Sequence, residues 1–232
     1  MGFAFKQFTI EQDRCAMKVG TDGVLLGSWA KGGTRILDIG TGTGLIALMM
    51  AQRYPTAHID AIEIDKEAAQ QAKENVAQSP FANRVNIVNI ALQNYKEQSQ
   101  GKLYDAIVSN PPYFENSLKN PDKNRAQARH TDALPFRELM HNAYSLLSDE
   151  GIFSIIVPNE AKSTIEYEAI VAGLSISKMV HIKTKSNKAP KRLLMEFRKQ
   201  LSVVEITTEC LEQDDSTKSQ WYKNLTSPFY IK

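Results

Sequence analysis

The stretch Asp38-Ile39-Gly40-Thr41-Gly42-Thr43-Gly44 decides the fold of this 232-residue chain. It ends a predicted β-strand at residues 34–39 and precedes a predicted helix that starts at Leu45 and stops near Pro55. Glycine at every second position lets the backbone approach a ligand closely, and the N-terminus of the helix directs N–H groups toward that ligand. The run predicts a cradle for a nucleoside-containing cofactor. A glycine-rich turn that merely joins strand to helix is the alternative.

Short β-branched segments and amphipathic stretches alternate along the rest of the chain. This alternation is typical of parallel strands joined by crossover helices, so we expect an α/β fold with a doubly wound sheet. Seven strands are predicted, at residues 34–39, 58–64, 85–90, 104–109 and 152–157, and in a closing antiparallel hairpin of 175–182 and 192–200. Further helices are predicted around 68–76, 136–147 and 160–172, with Gly151 just after the second of these.

The composition is that of an ordinary soluble globular protein, with 42% hydrophobic and 23% charged residues. We expect a single domain over residues 1–232. The formal net charge is only +2, so a nucleic acid would have to be held by local basic patches. Cys15 and Cys210 stand far apart without CxxC spacing, which indicates free thiols and neither a metal site nor a disulfide. Without a long apolar run or a signal-peptide pattern, we expect a cytoplasmic protein that does not span a membrane.

The spacing of the glycine run indicates which cofactor it holds. A nicotinamide-binding turn has the pattern G-x-G-x-x-G, whereas this run reads D-x-G-x-G-x-G and favours a methyltransferase over a dehydrogenase. Glu63 ends the second predicted strand, where an acid can accept both hydroxyls of a ribose; a solvated strand end is the alternative. Asp65 is expected to cap the next helix. The cofactor-binding residues predicted in this region are Asp38, Gly40, Thr41, Gly42, Gly44 and Glu63.

A second constellation, Asn110-Pro111-Pro112-Tyr113, follows the fourth predicted strand. The amino nitrogen of adenine is a poor nucleophile because its lone pair is delocalised into the ring. The side-chain carbonyl of Asn110 and the backbone carbonyl of Pro111 can accept its two N–H bonds and aim the lone pair at a methyl sulfonium. Pro112 stiffens the turn, and Tyr113 offers a face on which a flipped base can stack. With the glycine run, the motif predicts methyl transfer from S-adenosylmethionine to an amino nitrogen; a rigid Asn-Pro turn is the alternative.

The glycine run, Glu63 and Asn110-Pro111-Pro112-Tyr113 resemble class I S-adenosylmethionine-dependent methyltransferases that modify exocyclic or amide nitrogens. Three more stretches, residues 5–8 (FKQF), 13–27 (DRCAMKVGTDGVLLG) and 229–232 (FYIK), are similar to the bacterial tRNA(Val) adenine-N6 methyltransferase family. The similarity runs nearly from end to end. It implies a Rossmann-like, mostly parallel sheet whose last strand is antiparallel, and methylation of adenosine 37 next to the anticodon.

The same resemblance implies further cofactor contacts. It places Thr21, within an N-terminal segment of residues 1–31, near the methionine carboxylate of the cofactor, and it places Asn110 beside the cofactor. Taken alone, Thr21-Asp22 is a good N-cap for the following helix. Many relatives carry an acid after the third strand, where this chain reads NIALQ at residues 89–93. The backbone groups of Ala91 and Leu92 are therefore the predicted contacts for the cofactor's adenine.

Two basic segments are candidates for contact with RNA phosphates. The loop of the predicted hairpin contains Lys188, Lys191 and Arg192, although a solvated basic loop is the alternative there. Residues 114–134 follow the Asn-Pro-Pro-Tyr motif and contain Arg125 and Arg129, so they are predicted to form a lid or target-recognition loop. The acidic stretch of residues 205–215 is not expected to touch RNA.

Other functions remain open from the residues alone. Release-factor glutamine methyltransferases resemble the same Asn-Pro-Pro-Tyr site, but they usually carry an additional N-terminal helical domain, which we do not expect here. Duplex-DNA adenine methyltransferases usually append a recognition domain, and none fits this length. Adenine methylation of another RNA and a non-catalytic RNA-binding module are further alternatives. We expect tRNA as the partner, S-adenosylmethionine as the cofactor, no metal, and a monomer.

Overall fold

An eight-stranded sheet lies at the centre of the computed structural model, which describes residues 2–15, 17–99, 101–112 and 134–231. The strands, in chain order, are β1 Phe3–Ala4, β2 Thr9–Ile10, β3 Arg35–Ile39, β4 His58–Glu63, β5 Val85–Asn89, β6 Tyr104–Ser109, β7 Leu147–Pro158, β8 Ser175–Lys183, β9 Arg192–Arg198 and β10 Glu205–Cys210. The first two form a small antiparallel sheet of their own. The large sheet has the order β10-β8-β9-β7-β6-β3-β4-β5.

Strand direction confirms a doubly wound, mostly parallel sheet. Strands β3 to β7 run parallel to one another, while β9 lies between β7 and β8 and is antiparallel to both. The chain moves outward from β3 through β4 to β5 and then returns to the other side of β3 with β6. This reversal is the point at which open α/β sheets form ligand sites, at the carboxyl ends of the two strands.

Helices cover both faces of the sheet. They are α1 Thr21–Trp29, α2 Leu45–Arg53, α3 Lys66–Ala77, α4 Leu92–Gln98, α5 Phe136–Leu146, α6 Lys162–Ala172 and α7 Gln220–Thr226, with a 3₁₀ turn at Asn159–Ala161. Neighbouring residues of a strand face opposite sides. Ile36 belongs to a core cluster that includes residues of α1, α2, α3 and α7, whereas Leu37 belongs to a cluster that includes residues of α4, α5 and α6. Each strand and helix that the sequence predicted is present.

Three details differ from the sequence prediction. Strand β10, which pairs in parallel with β8, was not predicted, so the large sheet has eight strands and not the expected seven. Gly151 does not follow the end of a helix but lies inside β7, because α5 ends at Leu146 and the chain enters the strand directly. Gly20 occupies the N-cap of α1 without a side-chain hydrogen bond, so the predicted Thr21-Asp22 cap is wrong. The expected cap at Asp65 is confirmed, since its Oδ1 accepts from the Ala68 N–H at 2.8 Å.

Candidate cofactor and catalytic site

The glycine loop between β3 and α2 has the conformation that its sequence requires. Gly40, Gly42 and Gly44 have φ angles of 71°, 55° and 84°, a region that side chains disfavour. The N–H groups of Gly40 and Thr41 both donate to the Ile62 carbonyl, at 2.9 and 3.0 Å, so the loop is fastened to the end of β4. A Cβ placed on Gly40 would meet no atom within 4 Å. The loop is thus held to β4 by two backbone hydrogen bonds, with open space beside Gly40.

Asp38 places a buried carboxylate under this loop. Its Oδ2 accepts from Thr41 Oγ1 at 2.6 Å and from the Ala47 N–H at 3.1 Å. Its Oδ1 is buried and has no hydrogen-bond partner among the described residues. Burial raises the pKa of Asp38 to about 7, against the opposing effect of its two donors. An unpartnered acceptor of this kind fits an N–H or ammonium donor from a ligand.

Glu63, at the end of β4, is oriented by backbone donors. Its Oε2 accepts from the Gly42 N–H at 2.8 Å, and its Oε1 accepts from the Asp65 N–H at 2.9 Å. Each oxygen keeps lone-pair capacity for a further donor, so the carboxylate can still accept hydroxyls. The Ile90 N–H donates to the Glu63 carbonyl at 3.0 Å, which brings the start of α4 beside this acid. Ala91, the N-cap of that helix, and the residue after it therefore lie near Glu63.

Asn110 follows β6 in the same way that Gly40 follows β3. The two strands pair with Ser109 opposite Ile39, and Ser109 Oγ donates to the Ile39 carbonyl at 2.9 Å. The candidate catalytic residue and the glycine loop are thus neighbours at the reversal point of the sheet. Pro111 is buried and Pro112 is exposed. Tyr113 lies outside the described residues, as do Arg125, Arg129 and residues 114–133 of the predicted substrate loop.

The N-terminal segment contributes contacts that motif reasoning missed. Cys15 is buried, and a Cβ built on Gly42 would lie 3.7 Å from its Sγ. Burial raises the pKa of this thiol. Met17 Sδ lies 3.8 Å from Asn110 Nδ2. The residue types gave no signal for these contacts, although the resemblance over residues 13–27 covers them. Thr21 is exposed at the first position of α1.

The predicted RNA contacts of the β8–β9 loop lie at the same edge of the sheet, because Arg192 pairs with both Pro158 at the end of β7 and Ile182 near the end of β8. Lys188 and Lys191 are exposed in the loop between β8 and β9. Arg192 instead forms an ion pair with Asp22, with Nε 2.7 Å from Oδ2. The structure therefore holds Arg192 against α1, whereas Lys188 and Lys191 are exposed.

Among the described residues, no helix is long and apolar enough to cross a membrane. Nor do the described residues bring three or more His, Cys, Asp or Glu side chains together in a group that could hold a metal ion.

Comparison with known proteins agrees with this geometry. The family model described as methyltransferase small domain matches residues 19–174. A Phocaeicola vulgatus protein named tRNA1(Val) (adenine(37)-N6)-methyltransferase is 48% identical over 231 residues, covering 99% of this chain and 97% of that protein. A Trichodesmium erythraeum protein of the same name is 46% identical over 234 residues, covering 99% and 98%.

The crystal structure of a predicted O-methyltransferase from Agrobacterium tumefaciens matches with a TM-score of 0.69 at 18% identity, covering 90% of this chain and 96% of that one. That likeness confirms the class I methyltransferase fold. The chain belongs to the methyltransferase small domain family and to the tRNA1(Val) (adenine(37)-N6)-methyltransferase family.

Proposed function

We propose that this protein methylates N6 of adenosine 37 in tRNA1(Val), with S-adenosylmethionine as the methyl donor. The observation that carries the chemistry is the pairing of β3 with β6, which sets Asn110 beside the glycine loop. The choice of RNA and nucleotide follows from the names of relatives that are 48% and 46% identical over nearly the whole chain. A tRNA substrate also supports a cytoplasmic location.

The residues around the glycine loop fit the proposed cofactor. The unpartnered Oδ1 of Asp38 suits its ammonium group, and the backbone-oriented carboxylate of Glu63 suits its ribose hydroxyls. Thr21 would meet its carboxylate, and the backbone at Ala91 and Leu92 its adenine. When bound, S-adenosylmethionine supplies an electrophilic methyl group on a sulfonium. The protein's task is then to bring an amino nitrogen to this group in a productive orientation.

Asn110 and Pro111 perform that orientation. The Asn110 Oδ1 and the Pro111 carbonyl oxygen would each accept one N–H of the adenine amino group. Accepting both protons in hydrogen bonds favours a pyramidal nitrogen, because the lone pair is drawn out of conjugation with the ring. Holding the reactants in such an arrangement contributes at most about 7–11 kcal/mol to lowering the barrier. Tyr113 remains our sequence-based choice for stacking on the flipped base.

The test is methyl transfer to a defined RNA. Purified protein with labelled S-adenosylmethionine should methylate a tRNA1(Val) transcript, and nucleoside mass spectrometry should identify N6-methyladenosine. A transcript with guanosine at position 37 is the matched control and should remain unlabelled. Labelling of the control at another adenosine would contradict the proposed position. Labelling of protein glutamine, with none in RNA, would favour the release-factor type of substrate instead.

A further inference from the structure

Two buried amides on α3 connect parts of the chain that are far apart in sequence. Asn75 and Gln71 are each 2% exposed and lie one turn apart on the same face of α3. Asn75 Nδ2 donates to the carbonyl oxygens of Glu11 and Thr43, both at 2.9 Å, and Asn75 Oδ1 accepts from the Glu11 N–H at 2.9 Å. One side chain therefore joins α3, the N-terminal segment and the glycine loop.

Gln71 adds a second attachment for the same segment. Its Oε1 accepts from the Arg14 N–H at 3.1 Å. The next residue, Cys15, reaches the glycine loop, where a Cβ on Gly42 would lie 3.7 Å from its Sγ. We call residues 11–15 the strap. They run from Asn75 to Gly42, and the side chains of Asn75 and Gln71 hold their backbone along α3 through these hydrogen bonds.

We propose that Asn75 and Gln71 are positioning residues for the cofactor site, which dock the strap on α3 and thereby hold the glycine loop ready to bind. The proposal deepens the proposed function and rests on it, since it takes the glycine loop to hold the cofactor. Both amides are buried and hydrogen-bond to the protein backbone, so we assign neither of them a contact with the cofactor. Their effect passes through the Thr43 carbonyl on one side and through Cys15 on the other.

The hydrogen bonds of Asn75 indicate which substitution tests the docking of the strap. Asn75→Asp preserves size and keeps an acceptor for the Glu11 N–H, but it removes both donors. The carbonyl oxygens of Glu11 and Thr43 would then face a buried carboxylate, a repulsive and unsatisfied arrangement. Gln71→Leu is the milder second variant, because the amide that it removes makes one hydrogen bond, accepted from the Arg14 N–H. The control is Gln78→Ala, which removes an exposed amide at the end of the same helix.

The first measurement reports strap docking without using the cofactor. In a Cys210→Ser background, the rate at which a thiol reagent labels Cys15 measures how often the strap leaves the loop. Asn75→Asp should label at least about tenfold faster than the parent, as expected from losing buried hydrogen bonds, and Gln71→Leu should fall between them. The control should label at the parent rate. Unchanged labelling in both variants would overturn the docking role.

The second measurement reports whether docking serves the cofactor site. Asn75→Asp should weaken S-adenosylmethionine binding by about tenfold or more, while kcat at saturating cofactor and tRNA stays within about threefold of the parent. A variant that is partly misfolded would instead contain a smaller fraction of active protein and would therefore have a lower kcat. The double variant should bind only slightly more weakly than Asn75→Asp, because both changes release one strap.

The outcomes separate the two proposals. Faster labelling with unchanged cofactor affinity would show that the strap docks but does not serve the site, and would overturn the inference. Strictly additive losses in the double variant would also overturn it, since the two amides would then act independently. If the parent protein itself binds no S-adenosylmethionine, the proposed function fails, and with it the cofactor role of the strap, while Cys15 labelling still reports docking.

Discussion

Replacing Asp38 by Asn should change how the stability of the cofactor-free protein depends on pH. Burial raises the pKa of Asp38 from 3.8 to about 7, although Thr41 and the Ala47 N–H donate hydrogen bonds to it. Between these two values the folded protein holds a proton that the unfolded chain has released. The free energy of unfolding therefore falls as pH rises: the contribution of Asp38 is complete below pH 3.8 and is lost through about pH 7.

The size of the effect follows from the shift. One pKa unit corresponds to about 1.4 kcal/mol, so the change from 3.8 to about 7 amounts to roughly 4 kcal/mol. As pH rises from about 5 to about 8, the titrations of Asp38 in the folded and unfolded states together lower the free energy of unfolding by about 2.5 kcal/mol. Asp38→Asn has no titrating group at this position. Its unfolding free energy should therefore rise relative to that of the wild type by about 2.5 kcal/mol over the same interval.

Urea unfolding followed by circular dichroism, at several pH values across this interval and without cofactor, measures the difference directly. Other groups titrate in both proteins, so their effects cancel. The asparagine oxygen can still accept from Thr41 and Ala47, which lets the variant fold. Asp105→Asn is the control, because hydrogen bonds from Thr34 and Arg35 lower the pKa of Asp105 and its titration lies below the interval. Parallel curves for wild type and Asp38→Asn would refute the reasoning.

Three further predictions concern binding and turnover. Asn110→Ala should leave S-adenosylmethionine affinity nearly unchanged by calorimetry while abolishing methyl transfer in single-turnover assays; equal loss of both would contradict its role. Glu63→Gln keeps one acceptor oxygen but loses the charge, so cofactor affinity should fall about tenfold, whereas turnover at saturating cofactor should recover. Lys188→Glu with Lys191→Glu should weaken tRNA binding and lower the slope of log affinity against log salt by about 1.5–2, measured by filter binding. An unchanged slope would remove these lysines from the interface.

Periodicity and motif spacing predicted the strands and helices that carry the site. The features that they did not predict depend on contacts between residues far apart in the sequence. The left-handed glycines and the cap at Asp65 depend on neighbouring residues, so the local sequence specifies them. The predicted Thr21-Asp22 cap is wrong because α1 already begins at Thr21 with Gly20 as its N-cap, and the Asp22 carboxylate pairs instead with Arg192, 170 residues away. Strand β10 was missed since it is polar and largely exposed, without the apolar alternation of a half-buried strand.

The buried amides of α3 illustrate the same limit. Asn75 and Gln71 have polar side chains, which gives no reason to expect burial, yet both are buried and hydrogen-bond to the N-terminal segment. Nothing within the helix shows that another segment will lie on it. The resemblance over residues 13–27 indicated that the N-terminal segment matters to the site. Only the fold shows the contacts through which it does so.

The basic loop between β8 and β9 offers a narrower RNA surface than its composition suggests. Arg192 holds one end of the loop to α1 through Asp22. Nearer the other end, Lys185 Nζ donates to Ser216 Oγ at 2.6 Å and to the Asp214 carbonyl at 3.3 Å. The acidic stretch that was not expected to touch RNA therefore lies against this loop and offsets part of its charge. Exposed positive charge is left at Lys188 and Lys191, so phosphate contact from this loop should depend on those two residues.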